Sequence, residues 1–306
     1  MMILKSIRLC RSFHLGQIQH SSVPVRRQRY PFNPEVMATQ YTINDETCAP
    51  IDQAELKKLV QKHCMYLDSY LAKKPIAAHT QNAFDQVNQL VDPKKKIILD
   101  SGCGTARSTL LLGEKYSDHI VVGIDRSFVR LNKNHLKGES CIVECVSNEE
   151  SQRPFQAVSD NVLLVRAELT DFWRCCISAG WNVSHHYILY PNPYPKKARL
   201  KSRFYGHPAF PLILKLGGDI TIRSNWEGYL KEFAKSVQYA NDYYEIHPEV
   251  INPAARYNDA AIKGPVERTD KSVAWTNFEK KYDDVGESTY ELLLKQHLQS
   301  NIHNRI

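Results

Sequence analysis

Between residues 96 and 294 short apolar runs alternate with segments whose apolar side chains recur at helical spacing. That alternation leaves few architectures open. Residues 96–100, 119–125, 161–168, 187–190, 219–223 and 289–294 read as strands. Segments 107–116, 128–137, 171–179, 208–216 and 226–239 read as the helices between them. Strands joined through crossover helices run parallel, so the expected class is α/β: a doubly wound, mostly parallel sheet that binds ligands at its strand carboxyl ends. Segments 51–72 and 77–91 form an N-terminal helical extension, with Leu56, Leu59, Val60, Cys64, Leu67, Tyr70 and Leu71 at helical spacing. A polar loop near 147–160 and an irregular stretch over 245–275 interrupt the alternation, and no internal repeat is present.

The strand ends carry the chemistry. Asp100-Ser101-Gly102-Cys103-Gly104-Thr105 follows the first core strand. Gly102 and Gly104 let the backbone turn tightly against a ligand, and the following helix offers unpaired N–H groups. In a dinucleotide fold the position of Arg107 belongs to a third glycine that gives close access to a pyrophosphate. Asp100 adds a carboxylate suited to a cationic amino acid moiety. Asp125 ends the second core strand, twenty-one residues past Gly104, where a carboxylate binds ribose hydroxyls. Glu168 ends the third and is placed for an adenine amino group. Acidic groups for an ammonium, a ribose and an adenine describe S-adenosylmethionine better than NAD(P).

The fourth core strand runs into Tyr190-Pro191-Asn192-Pro193-Tyr194-Pro195, then into the basic side chains Lys196, Lys197, Arg199, Lys201 and Arg203. Proline cannot donate to a sheet ladder, so the alternating prolines end the strand and stiffen the turn. An amide and an aromatic ring at a strand end can face a base while a cationic arm holds phosphates, which points to a nucleic-acid substrate. A solvated basic loop after an edge strand is the plainer alternative.

Net charge alone says less. Of the formal +7, six cations (Lys5, Arg8, Arg11, Arg26, Arg27, Arg29) fall in residues 1–34, which hold no acid. The remaining chain has 34 basic and 33 acidic residues, a net of +1, so nucleic-acid affinity must come from local patches. The basic leader over residues 1–36, acid-free through residue 34 and with interspersed Ile and Leu, has the composition of an organellar transit peptide, or else of a disordered basic leader. Mitochondrial import is the expectation, with plastid or cytoplasmic residence as alternatives. No segment has the apolar length of a membrane span. Eight cysteines form no Cys-x-x-Cys pair, and His185-His186 lacks acidic or cysteine neighbours in sequence. No metal is therefore expected, and the two histidines read as packing.

These segments resemble the bacterial-type tRNA (guanine-N7)-methyltransferases over roughly residues 95–296. Asp100 through Gly104 and Gly123-Ile124-Asp125 are similar to that family's cofactor loops, and Pro191 through Lys196 is similar to its Pro-Asp-Pro-Trp-x-Lys signature. Ser224-Asn225-Trp226-Glu227-Gly228-Tyr229 resembles its Thr-Asp-Trp-x-x-Tyr segment. Thr276-Asn277-Phe278-Glu279 resembles its Thr-x-Phe-Glu element, with Gly286 beyond. The resemblance implies a class I, Rossmann-like methyltransferase domain over 95–296, after an extension over 37–94 and before a tail over 297–306. S-adenosylmethionine would be the cofactor and tRNA the partner, in a monomer or homodimer. It further implies that Asp100, Gly102, Gly104, Asp125, Arg126, Glu168 and Asn192 line the cofactor, with Asn192 also the catalytic position. The guanosine and its phosphates would fall to Lys196, Lys197, Arg199, Lys201, Arg203, Asn225, Thr276, Asn277, Phe278 and Glu279. Beside Phe278, Glu279 has the chemistry to accept from guanine N1 and N2 donors, and a surface ion pair with Lys280 or Lys281 is its alternative.

Three positions depart from the family pattern: Asn192 and Asn225 stand where Asp is usual, and Tyr194 stands for Trp. Guanine N7 carries a free lone pair and needs no general base, so alignment is most of the work. A neutral amide stabilises the developing cation less than a carboxylate does. Asn-Pro-Tyr-Pro also has some likeness to the Asn-Pro-Pro-Tyr motif of exocyclic-amine methyltransferases. That enzyme class, a protein methyltransferase on the same fold, and a non-catalytic RNA-binding relative remain the alternatives.

Overall fold

The computed structural model describes residues 50–132, 155–249, 257 and 259–296, and these belong to one compact unit. The expected leader over 1–36, residues 37–49 of the extension, the second half of helix 128–137 and the tail over 297–306 lie outside the described residues. Three helices come first: α1 (Gln53–Met65), α2 (Leu67–Lys73) and α3 (Ala78–Asn88). The core follows as β1 (Ile97–Ser101), α4 (Arg107–Lys115), β2 (Ile120–Asp125), α5 (Phe128–Leu131), β3 (Phe155–Ser159), β4 (Val162–Arg166) and α6 (Leu169–Ser178). Then come β5 (Val183–Leu189), 3-10 turns at Lys197–Ser202 and Phe204–Gly206, α7 (Phe210–Leu216), β6 (Asp219–Ser224) and α8 (Glu227–Ile246). The chain ends in β7 (Ile262–Glu267), α9 (Asn277–Asp284) and β8 (Tyr290–Leu294).

The eight strands form one sheet in the order β3-β4-β2-β1-β5-β6-β8-β7. Neighbours from β4 to β6 pair in parallel, while β3, β8 and β7 pair antiparallel at the two flanks. The mostly parallel, doubly wound class expected from the alternation is therefore observed. Successive strand side chains point to opposite faces. Ile97 and Leu99 accordingly join the large core with Leu56, Phe84, Phe172, Phe210 and Phe233, while Ile98 joins Leu112 of α4 on the other face. From β1 the chain winds outward through β2 to β4 on one side and through β5 to β6 on the other. The crevice between the carboxyl ends of β1 and β5 is the topological switch point, where such sheets hold ligands.

Several elements differ from the sequence expectation. The supposed loop at 147–160 contains β3, whose Phe155 and Ala157 are buried by a two-residue alternation too short to stand out among polar neighbours. The supposed irregular stretch contains β7, broken in pattern by Gly264-Pro265, and proline confines a strand to a sheet edge. Helix 51–72 divides at Tyr66, where φ is −104° and ψ 13°. Helix α8 runs on past residue 239 because Tyr243 and Tyr244 remain buried, with α8 packed along α1.

Candidate active site

Asp100, next to last in β1, is almost fully buried, and its Oδ2 accepts from the hydroxyls of Ser108 and Thr109 at 2.6 and 2.7 Å. Burial pushes its carboxyl up to about 6, against the lowering effect of those two hydroxyls. The carboxylate thus fixes the first turn of α4 and does not line the cleft beside it. Gly102 and Gly104 take φ of 81° and 60°, a region that favours glycine, and a Cβ on Gly102 would meet open space. Asp125, at the end of β2, is buried; its Oδ2 accepts from the Gly104 N–H at 3.0 Å and its Oδ1 from the Ser127 N–H at 2.8 Å. Arg130 approaches the same Oδ1 at 3.0 Å. A carboxylate offers about four acceptor directions, so Asp125 keeps capacity for a ligand hydroxyl. Glu168 is exposed at the amino terminus of α6, and its backbone N–H donates to Thr80 of α3 at 3.1 Å.

Opposite, the chain leaves β5 through a turn strained at both ends, with φ of 52° at Tyr190 and 44° at Tyr194. Non-glycine residues hold such angles only where surrounding structure enforces them. Asn192 sits between, exposed, its Oδ1 accepting from the Tyr194 N–H at 3.1 Å. Lys196, Lys197, Arg199 and Lys201 are exposed beyond it. Arg203 differs from the expectation that it belongs to this phosphate-facing arm. Its guanidinium is buried, donating to the carbonyls of Tyr194 and Pro195 at 3.1 Å each and to Glu232 of α8 at 2.8 Å. It also lies 4.8 Å from the ring centroid of Trp226. The residue holds the turn rather than meeting solvent.

The segment around α9 closes the far side. Thr276 caps α9 by accepting from the Glu279 N–H at 2.9 Å, and Asn277 donates to Thr105 of the glycine turn at 3.1 Å. Phe278 packs between Tyr190 and Tyr282, at centroid distances of 4.9 and 4.6 Å, and Asn225 donates to the Tyr282 hydroxyl at 3.0 Å. Glu279 reads guanine only if its oxygens are free, and they are not. It is fully buried, paired with Arg223 at 2.8 Å and Arg268 at 3.0 Å, and accepts from the Tyr190 hydroxyl and the Trp275 N–H. The alternative surface pair with Lys280 is absent too, because Lys280 pairs with Asp284 at 3.0 Å.

One cleft of about 360 Å³ collects Gly102, Asp125, Arg126, Glu168 and Asn192 from the sequence-derived set. Asp100, Gly104, the basic side chains from Lys196 to Arg203, Asn225 and the residues of α9 lie outside its lining. Sequence reasoning missed other lining residues, among them Ser101, Thr170, Trp173, Phe204 and His207. Trp173 of α6 is buried, and its indole N–H donates to Ser101 Oγ at 3.0 Å, the same oxygen lying 2.8 Å from His186 Nε2. Burial lowers His186 to about 3, so a neutral imidazole supports the cleft floor. The position of Thr170, just past a strand end at a helix start, was the available signal. Among the described residues, no group of His, Cys, Asp and Glu is arranged to hold a metal ion, and no helix is long and apolar enough to cross a membrane.

A doubly wound sheet with a glycine turn and a strand-end carboxylate at its switch point defines the class: a Rossmann-like methyltransferase fold. The sequence model of one family, Methyltransf_4, described as "Putative methyltransferase", matches residues 94–292, about two thirds of the chain, and the chain belongs to that family. No curated protein matches the chain. Solved structures to which the chain shows some similarity include an antibiotic-related methyltransferase, 12% identical, covering 70% of this chain and 94% of its own, with a TM-score of 0.42. Another is a 16S rRNA (adenine(1408)-N(1))-methyltransferase mutant from Catenulisporales acidiphilia with cosubstrate, 12% identical over 72% of this chain and 94% of its own, TM-score 0.42. A third is the 16S rRNA methyltransferase KamB, 14% identical over 74% and 96%, TM-score 0.38.

Proposed function

We propose that this chain is an S-adenosylmethionine-dependent methyltransferase that methylates N7 of guanosine in tRNA. The observation that carries the reading is the convergence, in one cleft, of the glycine turn, Asp125 and Glu168 with Asn192 of the Pro191–Lys196 signature. The residues fit the cofactor: Gly102 opens onto the cleft, Asp125 retains acceptor capacity for ribose, and Glu168 stands at the rim for an amino group. Bound S-adenosylmethionine supplies an electrophilic methyl on a sulfonium. The chain's own task is then to hold a guanine so that its N7 lone pair faces the cleft, with no proton to remove. Methylation leaves positive charge on the base, and the Asn192 amide oxygen, already accepting from Tyr194, stabilises it only as a dipole. The exposed Lys196, Lys197, Arg199 and Lys201 supply phosphate contacts. The basic leader, acid-free through residue 34, supports mitochondria as the setting.

The test is methyl transfer from labelled S-adenosylmethionine to unmodified tRNA by the full chain, followed by nucleoside analysis. Expected are 7-methylguanosine, its loss by roughly a hundredfold or more in Asp125→Ala, and a smaller fall in Lys196→Ala. A rate gain in Asn192→Asp supports N7 chemistry. A loss there, or a different methylated nucleoside, favours transfer to an exocyclic amine, and no methylated nucleoside overturns the enzyme reading.

A further inference from the structure

The basic arm does not project alone. Its 3-10 turn runs alongside helix α1: Lys197 pairs with Glu55 at 2.8 Å, and farther on His63 Nε2 lies 3.0 Å from the Gly206 carbonyl oxygen. Glu55, Lys58 and Lys62 are spaced i, i+3 and i+7, so they share one face of α1. That face therefore carries Lys58 between the Lys197 contact and Lys62. Burial lowers His63, the Gly206 contact opposes that, and the charges of Lys201 and Lys62 add to the lowering. The strip leads back to the cleft, because His207 in its lining directly follows Gly206, the residue that meets His63 of α1. Among the described residues, Lys58, Lys62, Lys196 and Lys201 have no carboxylate partner. Cations gathered on two elements, outnumbering Glu55 and Asp52, the two acids near Lys197, are poorly explained by mutual stabilisation and well suited to a polyanion.

We propose that α1 and the Lys197–Ser202 turn form the two banks of a track for the RNA sugar-phosphate backbone, continuing outward from the cleft. The proposal rests on the RNA reading above and assigns the N-terminal extension a part in binding the RNA beyond the target nucleotide. Glu55 has a definite role in it, since its pairing with Lys197 withholds one cation from the track.

The experiment is binding of unmodified tRNA to the full chain across a salt series, with S-adenosylmethionine binding and a thermal melt measured on every variant. In Lys58→Glu/Lys62→Glu, tRNA affinity is expected to fall roughly tenfold or more, and the log–log salt slope by about two. Cofactor affinity and the melt are expected to stay unchanged. Lys94→Glu/Lys96→Glu makes the same charge change ahead of β1, at the opposite end of the sheet, and is expected to bind tRNA nearly as the parent does. Glu55→Gln is expected to tighten binding about two- to threefold by releasing Lys197. Equal losses in both double variants would reduce the effect to net charge and overturn the track. Unchanged binding in the α1 variant, with parent binding intact, overturns it while the RNA reading stands. Absence of tRNA binding by the parent overturns both.

Discussion

Burial governs what Asp100 contributes. Its carboxyl is raised to about 6, chiefly by desolvation, with the nearby Asp125 charge acting the same way more weakly. A carboxyl raised in the fold makes ionisation costly there. The cost is absent below the unfolded value near 4, grows through about pH 4 to 6, and is complete above. Asp100→Asn keeps an oxygen for Ser108 and Thr109 but cannot ionise. Between pH 5 and pH 7.5 its stability relative to the parent should therefore improve by about 1–1.5 kcal/mol. Urea unfolding at the two pH values reads this directly, and a pH-independent difference would remove the argument. The strand-end acids Asp100, Asp125 and Glu168 were legible because each closes an apolar run. Glu279 and Arg203 were misjudged because charge in a sequence suggests exposure. Their partners, Arg223 and Glu232, lie 56 and 29 positions away, a distance local spacing cannot bridge.

At the scale of elements, the Pro-Asn-Pro turn owes its position to α8. Arg203 ties the carbonyls of Tyr194 and Pro195 to Glu232, and Glu232 also accepts from the Tyr205 hydroxyl and from the Ile51 N–H at 3.0 Å. The strained signature turn, α8 and the start of the extension thus share one buried charge pair. Removing one partner of such a pair strands the other and costs about 3–5 kcal/mol, whereas replacing both with apolar side chains of similar volume costs far less. Arg203→Met and Glu232→Met singly should each show that loss, and the double variant should recover most of it. A double-mutant cycle by urea unfolding measures the coupling, and losses that simply add would show the pair to be independent. The central strands were readable because burial on both faces makes them continuous apolar runs. The edge strands were not: β3 is five residues with one buried face, and β7 is six residues with none buried and a Gly-Pro break, so both resemble a loop. The α9 cap on Thr276 likewise carried its signal in side-chain roles already assigned to substrate.

Across the whole molecule, the sheet and the extension meet beneath the cleft. The Ala77 N–H donates to Asp171 at 3.0 Å, and the Glu168 N–H to Thr80, so the segment before the core supports the wall of the site. The extension was legible as two amphipathic helices, but its support of the site depends on contacts spanning 88 to 94 positions. The same packing sets the response to acid. His63, His185, His186 and His207 are all lowered from their ordinary value mainly by burial, His207 to about 4 and His186 to about 3. A histidine held neutral in the fold stabilises it above the unfolded value near 6.5, and that contribution is lost as pH falls toward the folded value. The unfolded chain takes up these protons first. Asp100 opposes them, because between about pH 6 and 4 the fold holds its proton more readily than the unfolded chain does. His186 and His207, against Asp100, leave about one extra proton on the unfolded chain near pH 5, a slope of about 1.4 kcal/mol per pH unit, and His63 and His185 add to it in the same direction. Set against a typical domain stability of about 5–15 kcal/mol, this removes an appreciable share of the fold's stability between about pH 6.5 and 5, above the range where most carboxylates titrate. Urea titrations between pH 7 and 5 should show the midpoint falling steeply with an unchanged m-value, and His186→Gln should flatten the slope by about one proton. A stability profile level down to pH 4.5 would mean that these imidazoles titrate in the fold much as they do in water.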